Sequence, residues 1–544
     1  MMQTSYAIGV DFGTESGRTV LLDLGTGEEI SRAVVPYPHG VIDRELPGWG
    51  ERLPPDWALQ DPDDWVHVLE EGIACLLGDA GARADAVVGL GVDFTSCTVL
   101  PVDSSGTPLC KYEHWRHRPH AWPKLWKHHA AQPVADRLTD VAVERGEDFL
   151  RRYGGRISSE WYFPKLIQIW LEDREVYNEA RGFIEATDWI VWYLTGSERR
   201  QSCTAGYKAM WSAQDGLPDA AYFEAAYPGF ATPAEKLGKT FLPLGTRAGS
   251  LRADVARAIG LPESVAVAVG NVDSFVSVPG CGVERPRTYV TVVGTSICDM
   301  VVDPREIRLP GITGVVRDGI LPGLYGYEAG QAAVGDMLAW FRETVARPDE
   351  DFAVLEAQAA RLAPGRTGLV ALDWWNGNRS ILADAGLSGV ICGLTLQTER
   401  EEIYRALLES IALGNRRIVE NFADHGLPVD RIVACGGVAE RSPLLMQMFA
   451  DTAGVPVEVP ASTEIPARGS ALFGAVAAGV FPDIGAAVAA LRPPTARTHR
   501  PDAAAKATYD RVYAIYRELY ELLGRSQVGL LHGLKNLRNQ ETAP

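Results

Sequence analysis

Three carboxylates and one lysine stand out in this chain for the residues around them. The first is Asp11, in Gly9-Val10-Asp11-Phe12-Gly13-Thr14-Glu15-Ser16-Gly17-Arg18, which lies between apolar runs at 6–10 and 19–22. Two strands joined by a Gly/Thr/Ser turn make a hairpin whose tip exposes several backbone N–H groups, a place for phosphate oxygens. Asp11, at the end of the first strand, either holds Mg²⁺ beside such phosphates or caps the turn. A similar tip, Val293-Gly294-Thr295-Ser296, follows the apolar run 288–292 and precedes 299–302, but Val292 stands where the first hairpin has Asp11. Two such tips in two halves point to a nucleotide held between two related domains, with the metal ligand in the first only.

The second carboxylate is Asp273, in Gly270-Asn271-Val272-Asp273-Ser274, after the apolar run 265–270. At the C-terminal end of a strand in an α/β sheet it sits where ligands bind. There it either caps a helix or accepts the proton of a hydroxyl that is being phosphorylated. The third, Glu328 in Gly326-Tyr327-Glu328-Ala329-Gly330-Gln331, reads as the start of a helical run. Lys208, in Thr204-Ala205-Gly206-Tyr207-Lys208, either bonds sugar hydroxyls or is a surface lysine. Trp126, in Trp122-Pro123-Lys124-Leu125-Trp126-Lys127-His128-His129, offers an indole face and N–H of the kind polyols lie against, or simply packs. Gly436-Gly437, after the run 431–435, lets a flat adenine or ribose approach the backbone.

Other patterns carry less. Gly238-Lys239-Thr240 matches the end of a P-loop, but Pro233 stands where its first Gly belongs, and Gly89-Leu90-Gly91 has Phe94 in place of the third Gly of a dinucleotide fingerprint. Five histidines fall in 114–129, yet the arginines between them repel a cation, which disfavours zinc.

These residues must be positioned by a large framework. The chain has 544 residues, enough for two or more domains, and its 46% hydrophobic and 22% charged composition is that of a soluble globular protein. The net charge of −18 argues against nucleic acid or an anionic membrane as partner. The opening residues 1–5 carry neither a basic nor an apolar leader segment, and the apolar stretch 471–491 is broken by Pro482 and Asp483, so neither a signal peptide nor a membrane span is expected. Eight scattered cysteines without a CxxC spacing read as reduced thiols and a cytoplasmic location.

Strand-like runs at 6–10, 19–22, 30–35, 86–92, 97–102 and 265–270 alternate with helical patterns at 62–77, 164–172, 188–194 and 218–226. This predicts an α/β sheet covered by helices. Asp61 and Pro62 supply an N-cap and first-turn proline for the helix at 62–77. Turn formers at 280–287 mark a boundary, dividing the chain into 1–283 and 284–544. The second half begins again with a hairpin, then shows helices at 335–345, 403–420, 444–453 and 511–523, a strand at 431–435, a short one at 457–459, and an irregular tail after Gly524.

Taken together these segments resemble the FGGY family of carbohydrate kinases over nearly the full length. Beside those above, the resemblance rests on Gly91-Val92-Asp93-Phe94-Thr95, Glu185-Ala186-Thr187-Asp188-Trp189, Gly294-Thr295-Ser296-Ile297-Cys298 and Asp373-Trp374-Trp375-Asn376-Gly377-Asn378-Arg379, the last typical of members acting on ribulose. The resemblance implies two ribonuclease-H-like domains of the actin-like ATPase type, with ATP and sugar in the cleft between them. It implies Asp273 as general base, Asp11 on Mg²⁺, Thr14, Ser16 and Arg18 near the phosphates, and Gly294 and Thr295 as the second phosphate tip. Gly335, Gly436, Gly437 and Ser442 would face the nucleotide; Ser96, Trp126, Lys208 and Glu328 would line the sugar pocket. The activity implied is ATP-dependent phosphorylation of a ketopentose, L-ribulose at its C5 hydroxyl, and a homodimer is compatible with it. Rival acceptors are xylulose, D-ribulose, ribitol and glycerol; a rival of another class is an actin-like ATPase that moves no phosphate to a small molecule. Lys165 is followed by Trp170, five residues on where the family pattern has three, and gets no role; the segment after Gly437 lacks the Asn often found there.

Overall fold

The computed structural model describes residues 5–50, 52–81, 83–230 and 234–541; the readings at 1–4 and at Pro233 lie outside them. The first hairpin forms as predicted, from β1 (Tyr6–Phe12) and β2 (Ser16–Asp23), and β3 (Glu29–Pro36) continues the meander. β4 (Val87–Phe94) lies parallel to β1, and β5 (Arg247–Ser250), β6 (Ala266–Ala268) and β7 (Asn271–Val272) complete the sheet. Its order is β3-β2-β1-β4-β6-β5, with β7 alongside the end of β4. β1 and β4 are buried along almost their whole length, as strands covered on both faces must be.

The second sheet is built from β8 (Thr288–Val293), β9 (Ile297–Asp303), β10 (Gly314–Arg317), β11 (Tyr325–Gln331), β12 (Arg431–Cys435), β13 (Val457–Pro460) and β14 (Thr495–His499). Its order is β10-β11-β9-β8-β12-β13-β14. Around each hairpin the plan is the same. An antiparallel third strand flanks the hairpin on one side; on the other come two parallel strands and an antiparallel edge. β10 is an addition at the far edge.

Six helices matter for the site. α1 (Pro62–Ala80) starts as its sequence predicts, the Asp61 carboxylate accepting from the Asp63 N–H at 3.0 Å. α2 (Asp273–Gly280) follows β7, and α3 (Gly335–Thr344) follows β11. α4 (Arg400–Asp424) opens on a Glu399/Glu402 capping box, and its buried stripe joins β8, β9 and α3 in one core. α5 (Ile465–Ala477) belongs to the second half yet lies on β1 and β4 of the first. That approach needs residues without side chains: a Cβ on Gly9 would sit 1.7 Å from the Ala467 carbonyl oxygen, and one on Gly91 1.9 Å from that of Ser470. α2 packs against α5, so the helix that starts at Asp273 joins the two halves. α6 (Ala503–Glu521) docks through Tyr509, Tyr513, Tyr516 and Tyr520, all buried.

Two readings change. Glu328 lies within β11, opposite Met300 and Gly314, and not at a helix start. The glycines around it look like turn formers; in the fold they let strands and side chains pack closely, Gly330 lying against the Ile297 carbonyl. The tail after Gly524 is also more regular than predicted: a π turn at Leu522–Ser526 is followed by a helix, Gly529–Glu541.

Candidate active site

Parallel pairing of β1 with β4 sets Asp11 directly beside Asp93, and pairing of β4 with β7 sets Asp93 beside Asn271, two residues before Asp273. Three carboxylates thus meet at the C-terminal ends of adjacent strands, where α/β sheets bind ligands. Arg18, opposite Asp11 on β2, donates from Nη1 to Asp11 Oδ2 at 3.2 Å and lies 3.6 Å from Glu464, just ahead of α5. Ser470 of α5 donates to Asp93 Oδ2 at 2.5 Å, while Asp93 Oδ1, buried, has no partner among the described residues. Burial, then the charge of Asp11, pushes Asp93 well above the usual carboxylate range; burial also raises Asp11, against the pull of Arg18.

Asp273 is the first helical residue of α2, with Val272 in the cap position, and its Oδ1 accepts from the Ser274 N–H at 2.6 Å. Burial and the charge of Asp11 push it up to about 7. A carboxylate poised there is ionised enough at neutral pH to accept a proton and basic enough to hold it.

Among the described residues no three His, Cys, Asp or Glu side chains form a ready metal cage. Mg²⁺ usually takes one or two carboxylates together with phosphate oxygens and water. The pair Asp11 and Asp93 fits that mode: two buried acid groups side by side, one with an orphaned oxygen, in a place where a divalent cation would relieve their repulsion.

Both hairpin tips are braced from outside. In the first, the Gly13 N–H donates to the Ser16 carbonyl at 3.0 Å, Tyr37 donates to the Gly13 carbonyl at 3.0 Å, and Gln60 donates to the Thr14 carbonyl at 2.9 Å. In the second, the Gly294 N–H donates to the Ser296 carbonyl at 2.9 Å. The entry to α3 closes on that tip, the Gly335 N–H donating to the Gly294 carbonyl at 3.1 Å and the Val334 N–H to the Thr295 carbonyl at 2.9 Å. Gly436 holds a left-handed φ of 93° at the start of a short helix, Gly437–Arg441, directly after β12. The Ser442 hydroxyl caps the helix Pro443–Ala453, accepting from the Leu445 N–H at 3.3 Å.

On the other side of Asp273, Lys208 ends the helix Ser202–Lys208 and its ammonium lies 3.2 Å from Glu328 Oε2. Burial opposes that charge, but Glu328 and Glu160 hold it above the ordinary lysine value. This ion pair spans the two halves. Trp126 donates its indole N–H to Thr14 Oγ1 at 3.1 Å, tying its loop to the first hairpin tip. The Ser96 hydroxyl is buried without a partner among the described residues.

Residues 6–280 match the N-terminal domain of the FGGY family of carbohydrate kinases, and residues 289–478 match its C-terminal domain. The chain belongs to this family. Proteins called ribulokinase from Geobacillus thermodenitrificans and Anoxybacillus flavithermus are each 47% identical over 100% of this chain and 98% of their own length. A solved xylulose kinase from Rhodospirillum rubrum superposes with a TM-score of 0.78 at 25% identity, covering 97% of this chain and all of the other. The two-domain α/β architecture and the carbohydrate kinase class expected from the sequence therefore stand, and family membership sets aside an ATPase that transfers nothing to a sugar.

For an FGGY kinase, two structurally important residues escaped the sequence reading. Asp93 was visible only as part of a family segment; its partnership with Asp11 exists only in the β1–β4 register. Lys165, left without a role, is fully buried and donates to the carbonyls of Cys97 at 2.5 Å and Leu125 at 2.9 Å, the neighbours of Ser96 and Trp126 in the chain. A lysine inside an otherwise apolar helix was the available clue. The clustered histidines have separate partners: His120 with Glu172 at 3.1 Å, His128 with Gln168 at 2.8 Å, His129 with Ser159 at 3.3 Å.

Proposed function

We propose that the protein transfers the γ-phosphoryl group of MgATP to the C5 hydroxyl of L-ribulose, giving L-ribulose 5-phosphate. The observation that carries this is the placement of Asp273, raised to about 7, between the Asp11–Asp93 pair and the Lys208–Glu328 bridge. Asp273 takes the hydroxyl proton as the oxygen attacks the γ-phosphorus and ADP leaves. Asp11 and Asp93 would hold Mg²⁺, which when bound offsets charge on the phosphates. The tips at Gly13–Ser16 and Gly294–Thr295 are assigned to the phosphates: the Gly13 and Gly294 N–H groups close the turns, and the backbone N–H groups of Thr14, Ser16 and Thr295 are the donors, with Arg18 keeping Asp11 in place. Gly335, Gly436 and Gly437 form the nucleotide surface; Ser442 serves that surface as a helix cap. Ser96, Trp126, Lys208 and Glu328 hold the sugar so that only its terminal hydroxyl reaches Asp273, which supplies much of the rate by orientation.

This reading assigns the sugar and phosphate chemistry to residues 1–283 and the adenine nucleotide to 284–544. It puts the protein in the cytoplasm, supported by eight cysteines that are all free thiols. Among the described residues no helix is long and apolar enough to cross a membrane. A homodimer is the assembly we propose. Leu530, Leu534 and Leu537 repeat at helical spacing on the last helix and are 58%, 62% and 63% exposed, an apolar face of the kind a partner covers.

The test is ADP release with L-ribulose, D-ribulose, both xyluloses, ribitol and glycerol at equal concentration. The highest kcat/KM is expected with L-ribulose. A xylulose or glycerol preferred by tenfold or more would overturn the assignment of acceptor while leaving the kinase class intact.

A further inference from the structure

A 2-ketopentose closes its five-membered ring through O5. An enzyme that phosphorylates O5 must therefore hold the open chain, in which O2 is a carbonyl oxygen that can only accept hydrogen bonds. The pocket needs a donor for it that is not already engaged. The Trp126 N–H is given to Thr14, the Lys208 ammonium is paired with Glu328, and the unpartnered Ser96 hydroxyl is a single neutral donor that an alditol hydroxyl satisfies equally well. Arg379 is different. Its guanidinium reaches into the same cluster, yet among the described residues it has no carboxylate within 4 Å, and its one near polar contact is the Cys298 sulfur at 3.8 Å from Nη1. Five N–H donors on a planar fork are left almost unused.

The position is built rather than incidental. Cys298 faces Gly330 across β9 and β11, two register pairs from Met300 and Glu328 and so on the same face of the sheet, which brings Arg379 to the sheet near the lysine's partner. The loop is fixed on both sides of it. Asn378 exchanges backbone hydrogen bonds with Asp384 at 2.9 and 2.8 Å, and its side chain accepts from the Leu382 N–H at 2.9 Å. Ser380 Oγ accepts from the Gly330 N–H at 3.2 Å, and Asp373, at the loop's start, is held by Gln331 at 2.8 Å and Tyr516 at 3.2 Å. Burial works against the Arg379 charge, while the Cys298 thiol, Glu160 and Glu328 hold it in place. The same thiol lies in the field of Arg379, Glu328, Asp273 and Lys208, which puts the guanidinium inside the acceptor cluster.

We propose that Arg379 binds the acceptor's carbonyl oxygen and thereby selects the keto form of a sugar over the corresponding alditol. The proposal rests on the ketopentose reading above and names the residue that makes it selective. An alditol hydroxyl can also accept a hydrogen bond, but it brings a proton of its own that a guanidinium cannot receive.

The test compares L-ribulose with its two reduction products, ribitol and L-arabitol, on the full-length protein. Dissociation constants are read from intrinsic tryptophan fluorescence, and kinetic constants from ADP release. Arg379→Met is expected to weaken L-ribulose about 10- to 100-fold, as for loss of a charge-assisted hydrogen bond. The alditols should weaken less than threefold, and the KM for ATP should hold. Arg379→Lys should fall between wild type and Arg379→Met, and it carries the test if the methionine variant does not fold. An unchanged ketose-to-alditol affinity ratio in a folded variant overturns the proposal, as does a loss confined to kcat or to ATP. If the wild type itself neither binds nor phosphorylates L-ribulose, it is the functional reading that fails, and the two failures are told apart by that control.

Discussion

The two halves of this kinase share one strand plan and differ at the positions where chemistry could occur. In the first, β1 presents Asp11 between Arg18 on one neighbour and Asp93 on the other. In the second, the equivalent place on β8 holds Val292, between Cys298 and Cys435. A charged trio has become an apolar residue flanked by two thiols. The helices that follow the parallel strands differ likewise: α2 starts on Asp273, α5 on Ile465. A hairpin tip offers backbone N–H groups whatever its sequence, so both halves can cradle phosphate. Metal and proton chemistry need side chains, and only the first half has them. Duplication of a fold thus preserves what the backbone does and leaves the side-chain role to one copy.

If labour is divided this way, substitutions at the first half's strand-end carboxylates should lower kcat, and substitutions at the second half's Gly436 turn should raise the KM for ATP or lower stability. The largest effect belongs to Asp273. Asp273→Asn should cut kcat about 10²- to 10⁴-fold, the usual worth of a positioned base, while ATP still binds. Because burial and Asp11 raise Asp273 to about 7, kcat/KM of the wild type should fall as pH drops below 7 and level off above it. The effect on stability has the opposite sense. A carboxyl whose folded value is raised contributes stability below its unfolded value near 4, and that contribution is lost as pH rises through about 7. The variant's Tm should therefore exceed the wild type's at pH 8 and match it near pH 4 in the absence of ligands. Near-normal turnover by Asp273→Asn would remove the asymmetry on which the comparison depends.

A smaller effect should come from Gly436, the second half's counterpart of the turn after Asp93. Its φ of 93° suits glycine, and a Cβ there would lie 2.8 Å from the Val293 carbonyl oxygen. Gly436→Ala should raise the KM for ATP about tenfold, since the turn that meets the nucleotide must shift, with kcat reduced less than threefold at saturating ATP. A variant whose kcat falls while the KM for ATP holds would show that the second half takes part in the chemical step.

Most of the framework was legible because it is local. The hairpins, the Asp61 cap and the strands Val87–Phe94 and Ala266–Ala268 announce themselves through runs of apolar residues and turn formers. What the sequence hid depends on distant pairing. Asp93 gains its meaning from lying beside Asp11, and Lys165 from two carbonyls that approach it from other loops. Glu328 was placed on the wrong kind of element because Gly326 and Gly330 bracket it, and glycine spacing cannot separate a turn from a strand crossed closely by its neighbours. Arg379 lies in a loop whose shape is set by Asn378, Ser380 and Asp373 bonding to three different segments, so no periodicity marks it.

The least effect separates a contact with the nucleotide from support of the surface it lies on. Ser442 follows the Gly436-Gly437 turn closely enough to be taken for a ligand to ATP, yet its hydroxyl accepts from the Leu445 N–H at 3.3 Å and is buried. Loss of such a cap costs about 0.5–2 kcal/mol. Ser442→Ala should lower stability by that amount in urea unfolding, with the KM for ATP changed less than threefold. Ser442→Asp restores an N-cap acceptor and should recover stability, because a carboxylate is favoured at a helix N-terminus. The same carboxylate would repel a polyphosphate lying against it. A variant that regains stability and keeps the KM for ATP makes Ser442 a cap alone; one that regains stability and loses ATP affinity puts the nucleotide within reach of that hydroxyl.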